Sequence, residues 1–156
     1  MIKKAYLAGG CFWCTESVFQ RVKGVIEVTP GYMGGHVKNP AYREVCNGIT
    51  GHTETIKITY DQDIVPYSSL LEIFFLFHDP TTLNRQGNDI GTQYRSAIFY
   101  NNLEEKNQIH ACIDQFEKDK IYSDPIVTDI NIECPFSPAA VEHHTYYNHN
   151  SKQPSC

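Results

Sequence analysis

The residues best suited to chemistry stand together near the N-terminus, in Gly9-Gly10-Cys11-Phe12-Trp13-Cys14. Two adjacent glycines let a backbone turn sharply. If a strand ends there and a helix begins, Cys11 falls in the first helical turn. Unpaired amide N–H groups and the positive end of the helix dipole favour a thiolate at such a place. The thiolate is the nucleophilic form of cysteine, so the segment predicts a nucleophile. The competing reading is a small buried apolar side chain, as many free cysteines are. Cys14 lies three residues further on, which sets both sulfurs on one helix face. That Cys-x-x-Cys spacing serves dithiol redox sites and zinc sites alike.

The surrounding pattern supplies the elements that must hold Cys11. Residues 3–8 read as a short strand ending at the glycine pair. Phe12, Trp13, Val18, Phe19 and Val22 fall near helical spacing, and Gly24 closes that helix. Residues 25–29 are strand-like, and 30–35 form a glycine-rich turn region. Residues 42–46 read as a short helical turn. Residues 55–60 alternate as a half-buried strand does. Pro66, Ser68 and Ser69 precede an apolar helix over 70–77, and a long polar loop covers 79–92. Strands over 94–100 and 126–132 flank an amphipathic helix over 103–120. A terminal helix is expected over 142–147, followed by a polar tail.

This order, roughly β-α-β-β-α-β-α-β, predicts an α+β fold, a two-layer sandwich with a split-βαβ (ferredoxin-like) core. A doubly wound parallel sheet is disfavoured, because no convincing crossover helix joins 25–29 to 55–60. There is no internal repeat and no linker. The expectation is one catalytic domain over 1–156 with a mobile C-terminal tail carrying Cys156.

Composition narrows the classes. A chain of 156 residues suits one domain with one core. With 41% hydrophobic and 20% charged residues it is globular rather than disordered. The net charge of -5 and the lack of clustered Lys or Arg argue against nucleic-acid binding. No apolar run reaches membrane-spanning length. The N-terminus has two lysines but no long apolar stretch after them, so a signal peptide is not expected and the cytoplasm is the expected compartment. There, six cysteines read as catalytic, metal-binding or core thiols rather than as a disulfide framework.

Further segments extend the pattern. They are Gly31-Tyr32-Met33-Gly34-Gly35, then Tyr42-Arg43-Glu44-Val45-Cys46 with Gly51-His52-Thr53-Glu54, then Arg85-Gln86-Gly87-Asn88-Asp89-Ile90-Gly91-Thr92-Gln93-Tyr94-Arg95-Ser96. Together with Gly10-Cys11-Phe12-Trp13-Cys14-Thr15-Glu16, and in this order, they resemble the A-type peptide methionine sulfoxide reductases, enzymes that reverse methionine oxidation. The likeness runs from about residue 5 to 100 and continues weakly to the end. Four separated motifs in one order are far more specific than any one of them.

The resemblance implies a split-βαβ core and reduction of the S epimer of methionine sulfoxide, in proteins and as the free amino acid. It also implies no bound cofactor or metal, and recycling by thioredoxin. It makes Cys11 the nucleophile, ending as a sulfenic acid. It makes Glu54 the acid, which burial must keep protonated near neutral pH. Tyr42 and Tyr94 become hydroxyl donors to the sulfoxide oxygen, and Asp89 a support for that polar network. Phe12 and Trp13 wall the pocket for the methyl group, where an aromatic face meets sulfur favourably. Without the resemblance, Glu54 reads as an exposed strand end, the tyrosines as packing and Asp89 as a turn residue. Glu16 reads as an acid in the first helical turn.

Cys14 and Cys156 compete to resolve the sulfenic acid. Family members often carry Gly where Cys14 stands and place the resolving thiol in a flexible tail. The segment Asn150-Ser151-Lys152-Gln153-Pro154-Ser155-Cys156 loosely resembles that tail, without its usual glycines. The reading leans to Cys156, with a relay through both as an option. Cys46 and Cys112 read as packing, and Cys134 is given no role. The expected partners are methionine sulfoxide in peptides and proteins, and thioredoxin, with no nucleic acid and no membrane, for a monomeric chain.

Two other classes compete. A zinc module would pair Cys11 and Cys14 with Cys46, His52 or the His143-His144 region, but no second Cys-x-x-Cys or His-x-x-x-His is present. A general dithiol oxidoreductase would place its aromatic residue beside the cysteine pair, whereas Phe12 and Trp13 lie between the two.

Overall fold

Alternating apolar residues make the central strands. Ala5 and Leu7 on β1 (Ile2–Ala8) face the same core as Ile56, Ile58 and Tyr60 on β3 (Thr53–Asp61). Tyr6 and Ala8 point to the other side of the sheet. The two strands pair antiparallel, with Ala5 opposite Ile58 and Leu7 opposite Ile56. The computed structural model describes residues 1–34 and 53–139. The helical turn expected over 42–46 and the terminal helix over 142–147 lie outside those residues.

The main sheet has six strands in the order β7-β6-β1-β3-β2-β8. Besides β1 and β3 these are β2 (Val25–Met33), β6 (Ala97–Tyr100), β7 (Asp129–Ile132) and β8 (Ser137–Pro138). Both β1 and β2 are antiparallel to β3, which lies between them. They are therefore parallel to each other, and α1 (Phe12–Phe19) crosses from one to the other. In the same way β3 and β6 flank β1, joined through α2 (Tyr67–Phe77). The two interlocked units form the expected split-βαβ core. Helix α3 (Leu103–Lys118) then carries the chain from β6 to its parallel neighbour β7.

The helices form the second layer. On α2, Leu70, Leu71, Phe74 and Phe75 are buried and join Phe12 and Phe19 of α1 over the sheet. Helix α3 is stopped from fraying by Asn102, whose side chain accepts a 2.9 Å bond from the Glu105 amide. Among the described residues no helix is long and apolar enough to cross a membrane.

Four expectations need correction. The turn region placed at 30–35 is strand as far as Met33. Pro30 is tolerated because its polar side faces the short strand β8. There its carbonyl accepts from the Ala139 amide at 2.9 Å, and no ladder bond to β3 is lost. Gly31 is required there, since a Cβ would lie 2.4 Å from the Phe136 ring. Second, the loop over 79–92 contains a small hairpin, β4 (Arg85–Gln86) and β5 (Asp89–Ile90), and a 3₁₀ turn follows at Thr92–Tyr94. Third, the strand expected from residue 94 begins at Ala97, which leaves Tyr94 on the 3₁₀ turn. Helix α2 also starts earlier than expected, because Pro66 stands at its cap and Ser68 and Ser69 lie inside its first turn.

Candidate active site

The strand–turn–helix expected at the glycine pair is present. Gly10 has φ +86, and Cys11 is the N-cap of α1 in extended geometry. Its carbonyl accepts from the Cys14 amide at 3.1 Å and from the Thr15 hydroxyl at 3.2 Å. Gly9 and Gly10 are small because they are wedged. A Cβ on Gly9 would lie 3.0 Å from the His78 ring, and one on Gly10 would lie 2.8 Å from Gln86 Cγ.

Glu54 enters from the second residue of strand β3. It is 1% exposed, not the exposed strand end that its position alone suggested. Its Oε1 accepts a 3.1 Å bond from the backbone N–H of Phe12. Among the described residues its Oε2 has no hydrogen-bond partner. Burial pushes its carboxyl from 4.5 up to about 8, the Phe12 amide opposes this, and Asp89 adds to it. Glu54 is therefore mostly protonated at neutral pH.

The Cys11 thiol departs from expectation. Burial raises it to about 12, the charges of Glu54 and Asp89 add, and the Trp13 and Cys14 amides pull the other way. The start of the helix does favour the thiolate, but desolvation outweighs it. The resting pair is a neutral thiol beside a neutral acid. When Glu54 carries its proton, its own contribution to the Cys11 shift lapses.

Phe12 is fully buried, and its ring lies 5.8 Å from Trp13 and 5.6 Å from Tyr32. Tyr32 stands opposite Glu54 in the β2–β3 register, so both side chains share one face over Phe12. Trp13 is half-buried at the rim. Asp89, on β5 opposite Gln86, is also half-buried, and burial raises its carboxyl. Tyr94 closes the 3₁₀ turn, which is tied to β3 where the Thr53 hydroxyl donates to the Gln93 carbonyl at 3.0 Å.

The structure thus gathers Cys11, Phe12, Trp13 and Glu54, with Asp89 acting on both ionisable groups. Tyr42, Cys46, His52 and Cys156 lie outside the described residues. Cys14 is disulfide-bonded, while Cys11, Cys112 and Cys134 are free. Cys112 is half-buried on α3, and Cys134 packs in a small cluster on the other face of the sheet. Glu16 is not in the first turn of α1 but one turn further along, and it is 1% exposed. Among the described residues no group of three His, Cys, Asp or Glu side chains could hold a metal ion. Sequence reasoning gave no role to Tyr32, Thr15 or Gln86. Tyr32 and Gln86 sat in motifs already noted, but only the register and the wedged glycines reveal what they touch.

Known proteins carry the same frame. The family model described as peptide methionine sulfoxide reductase matches residues 3–156. A peptide methionine sulfoxide reductase MsrA of Saccharolobus solfataricus is 51% identical over 152 residues, covering 97% of this chain and 85% of that one. The structure of Mxr1 from Saccharomyces cerevisiae in reduced form superposes with a TM-score of 0.91 at 28% identity, covering 99% of this chain and 90% of that one. The same yeast protein in complex with Trx2 shares the fold, with a TM-score of 0.65 at 21% identity over 93% of this chain and 84% of that one. With half of its residues shared with an archaeal MsrA across nearly its whole length, this chain belongs to the A-type peptide methionine sulfoxide reductases.

Proposed function

We propose that the Cys11 centre reduces the S epimer of methionine sulfoxide, with Glu54 as the proton donor. The observation that carries the assignment is the buried Glu54 carboxyl, bound to the amide that follows Cys11; burial pushes it up to about 8, which suits a proton donor near neutral pH. Sulfoxide oxygen is a poor leaving group until it is protonated. Cys11 sulfur attacks the substrate sulfur as Glu54 gives its proton to the oxygen, and the Cys11 thiol proton replaces the one Glu54 gave. The hydroxyl then passes from the substrate sulfur to Cys11 as the S–O bond and the newly formed sulfur–sulfur bond break and the electron pair returns to the substrate sulfur, so sulfoxide and thiol become methionine and a sulfenic acid, with no net gain or loss of protons.

We assign the aromatic group at the start of α1 to the substrate methyl group, which Trp13 meets at the rim, backed by the buried rings of Phe12 and Tyr32. A site holding the methyl on one side and the oxygen beside Glu54 presents sulfur to Cys11 in one configuration only. We assign Tyr42 and Tyr94 to the oxygen as hydroxyl donors and Asp89 to the support of Glu54. A second thiol then attacks the sulfenic acid, releasing water and forming a disulfide, which a thioredoxin dithiol reduces. Cys14 and Cys156 are the candidate thiols. A free Cys11 beside a disulfide-bonded Cys14 supports a relay that passes through Cys14. Among the described cysteines the disulfide is confined to Cys14, three residues from the nucleophile, while Cys11, Cys112 and Cys134 are free; a disulfide limited to the redox site fits a reducing compartment, and we place the chain in the cytoplasm.

The test uses purified protein, dithiothreitol and each separate epimer of a blocked methionine sulfoxide, alongside Cys11→Ser. Turnover of the S epimer alone, abolished by the substitution, is the expected result. Turnover of both epimers, or activity that survives in Cys11→Ser, overturns the assignment.

A further inference from the structure

The turn that presents Cys11 is held from outside by one side chain. Gln86, on β4, makes a reciprocal pair of bonds to the backbone of Asp79: its Oε1 accepts from the Asp79 N–H at 2.9 Å, and its Nε2 donates to the Asp79 carbonyl at 2.9 Å. This copies one rung of an antiparallel ladder, made by a side chain. Asp79 follows His78, which ends α2. Its own carboxylate accepts from the Thr81 amide at 2.9 Å, which fixes the start of the loop.

The aliphatic stem of Gln86 does a second job. It lies against Gly10, so close that a Cβ there would meet Gln86 Cγ at 2.8 Å and Cβ at 3.0 Å. On the other side of the same turn, the His78 and Phe74 rings lie against Gly9. The glycine pair is thus clasped between the end of α2 and Gln86. Gln86 is also the β-bridge partner of Asp89. One residue therefore joins three things: the end of α2, the turn before the nucleophile, and the carboxylate that acts on Cys11 and Glu54.

We propose that Gln86 is a positioning residue for the sulfoxide reduction, clamping the β4–β5 hairpin against Gly10 so that Asp89 is held beside the Cys11–Glu54 pair. The proposal rests on the reading of Asp89 and Glu54 given above and deepens it. Among the described residues, the titratable groups that the fold brings around Glu54 are Cys11 at the start of α1, Tyr32 opposite it on β2, Tyr94 on the 3₁₀ turn tied to β3, and Asp89 on β5, whose charge acts on it. Asp89 is the one that the clamp holds. Burial raises the Glu54 carboxyl most and the Asp89 charge adds to it, so a loosened hairpin removes that addition and Glu54 loses its proton at lower pH.

The experiment compares Gln86→Met, Asp89→Asn and the double variant in the full chain, using the blocked S epimer and dithiothreitol across pH. Gln86→Met keeps the stem over Gly10 and removes both amide bonds. The expected result is a kcat reduced about tenfold. The alkaline limb should move roughly several tenths of a pH unit downward. Asp89→Asn should move it the same way, and the double variant no further. A Gln86→Met limb that stays put while Asp89→Asn shifts it, or shifts that add, overturns the proposal and leaves the role of Asp89 standing. If Asp89→Asn itself leaves the limb unmoved, the reading of Asp89 fails and the clamp fails with it. Thermal melts confirm that each variant is folded at assay temperature. Should Gln86→Met be unfolded, the same limb is read on Gln86→Asn, whose amide is one methylene too short for the clamp.

Discussion

Glu54 Oε1 accepts a 3.1 Å hydrogen bond from the backbone N–H of Phe12, the amide directly beyond Cys11. The acid and the nucleophile are therefore fixed to one another through a single peptide unit. A protonated carboxyl still accepts that bond through its carbonyl oxygen, which leaves its O–H free to face substrate.

Glu54→Gln keeps the shape and the Phe12 bond but cannot release a proton. Its kcat should fall about a hundredfold or more. The wild-type activity should decline as pH rises through about 8, and the variant should lack that limb. Stability should move the other way. A carboxyl raised from 4.5 to about 8 stabilises the fold fully below 4.5 and progressively less as pH rises to 8. At pH 7 the neutral amide should therefore be more stable, by up to about 3 kcal/mol. A paired measurement of pH–rate profile and urea midpoint checks both signs. A variant that loses stability along with activity would contradict this account.

His78 is 5% exposed and sits under the glycine pair, its Nε2 2.9 Å from the Ser96 hydroxyl. Burial lowers it from 6.5 to about 4, against the Phe74 carbonyl and Asp79, which both raise it. The unfolded chain therefore takes up a proton that the native state refuses. The stability that His78 contributes is whole above 6.5 and is lost as pH falls towards 4, a loss of about 3 kcal/mol. The slope of urea midpoint against pH between 4 and 6.5 should be visibly flatter in His78→Gln. Equal slopes would show that His78 carries a proton in the fold.

Gly10→Ala meets two obstacles, a φ of +86 and the Gln86 stem at 2.8 Å. Gly87→Ala meets only the first, since its φ is +57 with open space around it. Gly87→Ala should cost about 1 kcal/mol and spare activity. Gly10→Ala should cost more and lower kcat, because relief of the clash moves the turn before Cys11. Melting temperatures and kcat for the pair would settle it, and equal effects at both positions would argue against any clasp.

A relay through Cys14 predicts how the chain stalls. Given sulfoxide and no reductant, Cys14→Ser should yield one methionine per chain and a sulfenic acid that a cyclic diketone traps. Cys156→Ser should accumulate a Cys11–Cys14 disulfide and cycle slowly with thioredoxin. Free-thiol counts and mass spectrometry of the labelled peptides read the difference. Full thioredoxin-linked turnover in Cys156→Ser would remove Cys156 from the pathway.

The topology was readable because the central strands and helices carry clean periods: Ala5 and Leu7, then Ile56, Ile58 and Tyr60, alternate, and the apolar run of α2 is unmistakable. What escaped the sequence was context. Pro30 and Gly31 look like turn residues until β8 is found beside them, and a two-residue strand leaves no period to detect. The hairpin of β4 and β5 is equally short and is held by turns and by Gln86 rather than by an apolar face. Cys11 could be named in advance from its glycine turn and helix start, and Phe12, Trp13 and Glu54 by resemblance. The high Cys11 thiol could not, because the helix terminus is visible in sequence whereas the burial that outweighs it is not.

Glu54 shares its face of β3 with Ile56, Ile58 and Tyr60, all three almost wholly buried. Side chains on a strand alternate, so sliding β3 by one residue would expel all three from the core and turn the acid to the opposite side of the sheet. Each large apolar side chain kept inside contributes about 1.5–3 kcal/mol. The oily row thus acts as a ruler for the proton donor. A chain assembled out of step would lose its core and its chemistry together, so catalytic turnover doubles as a report that the strand has been laid down in the correct frame.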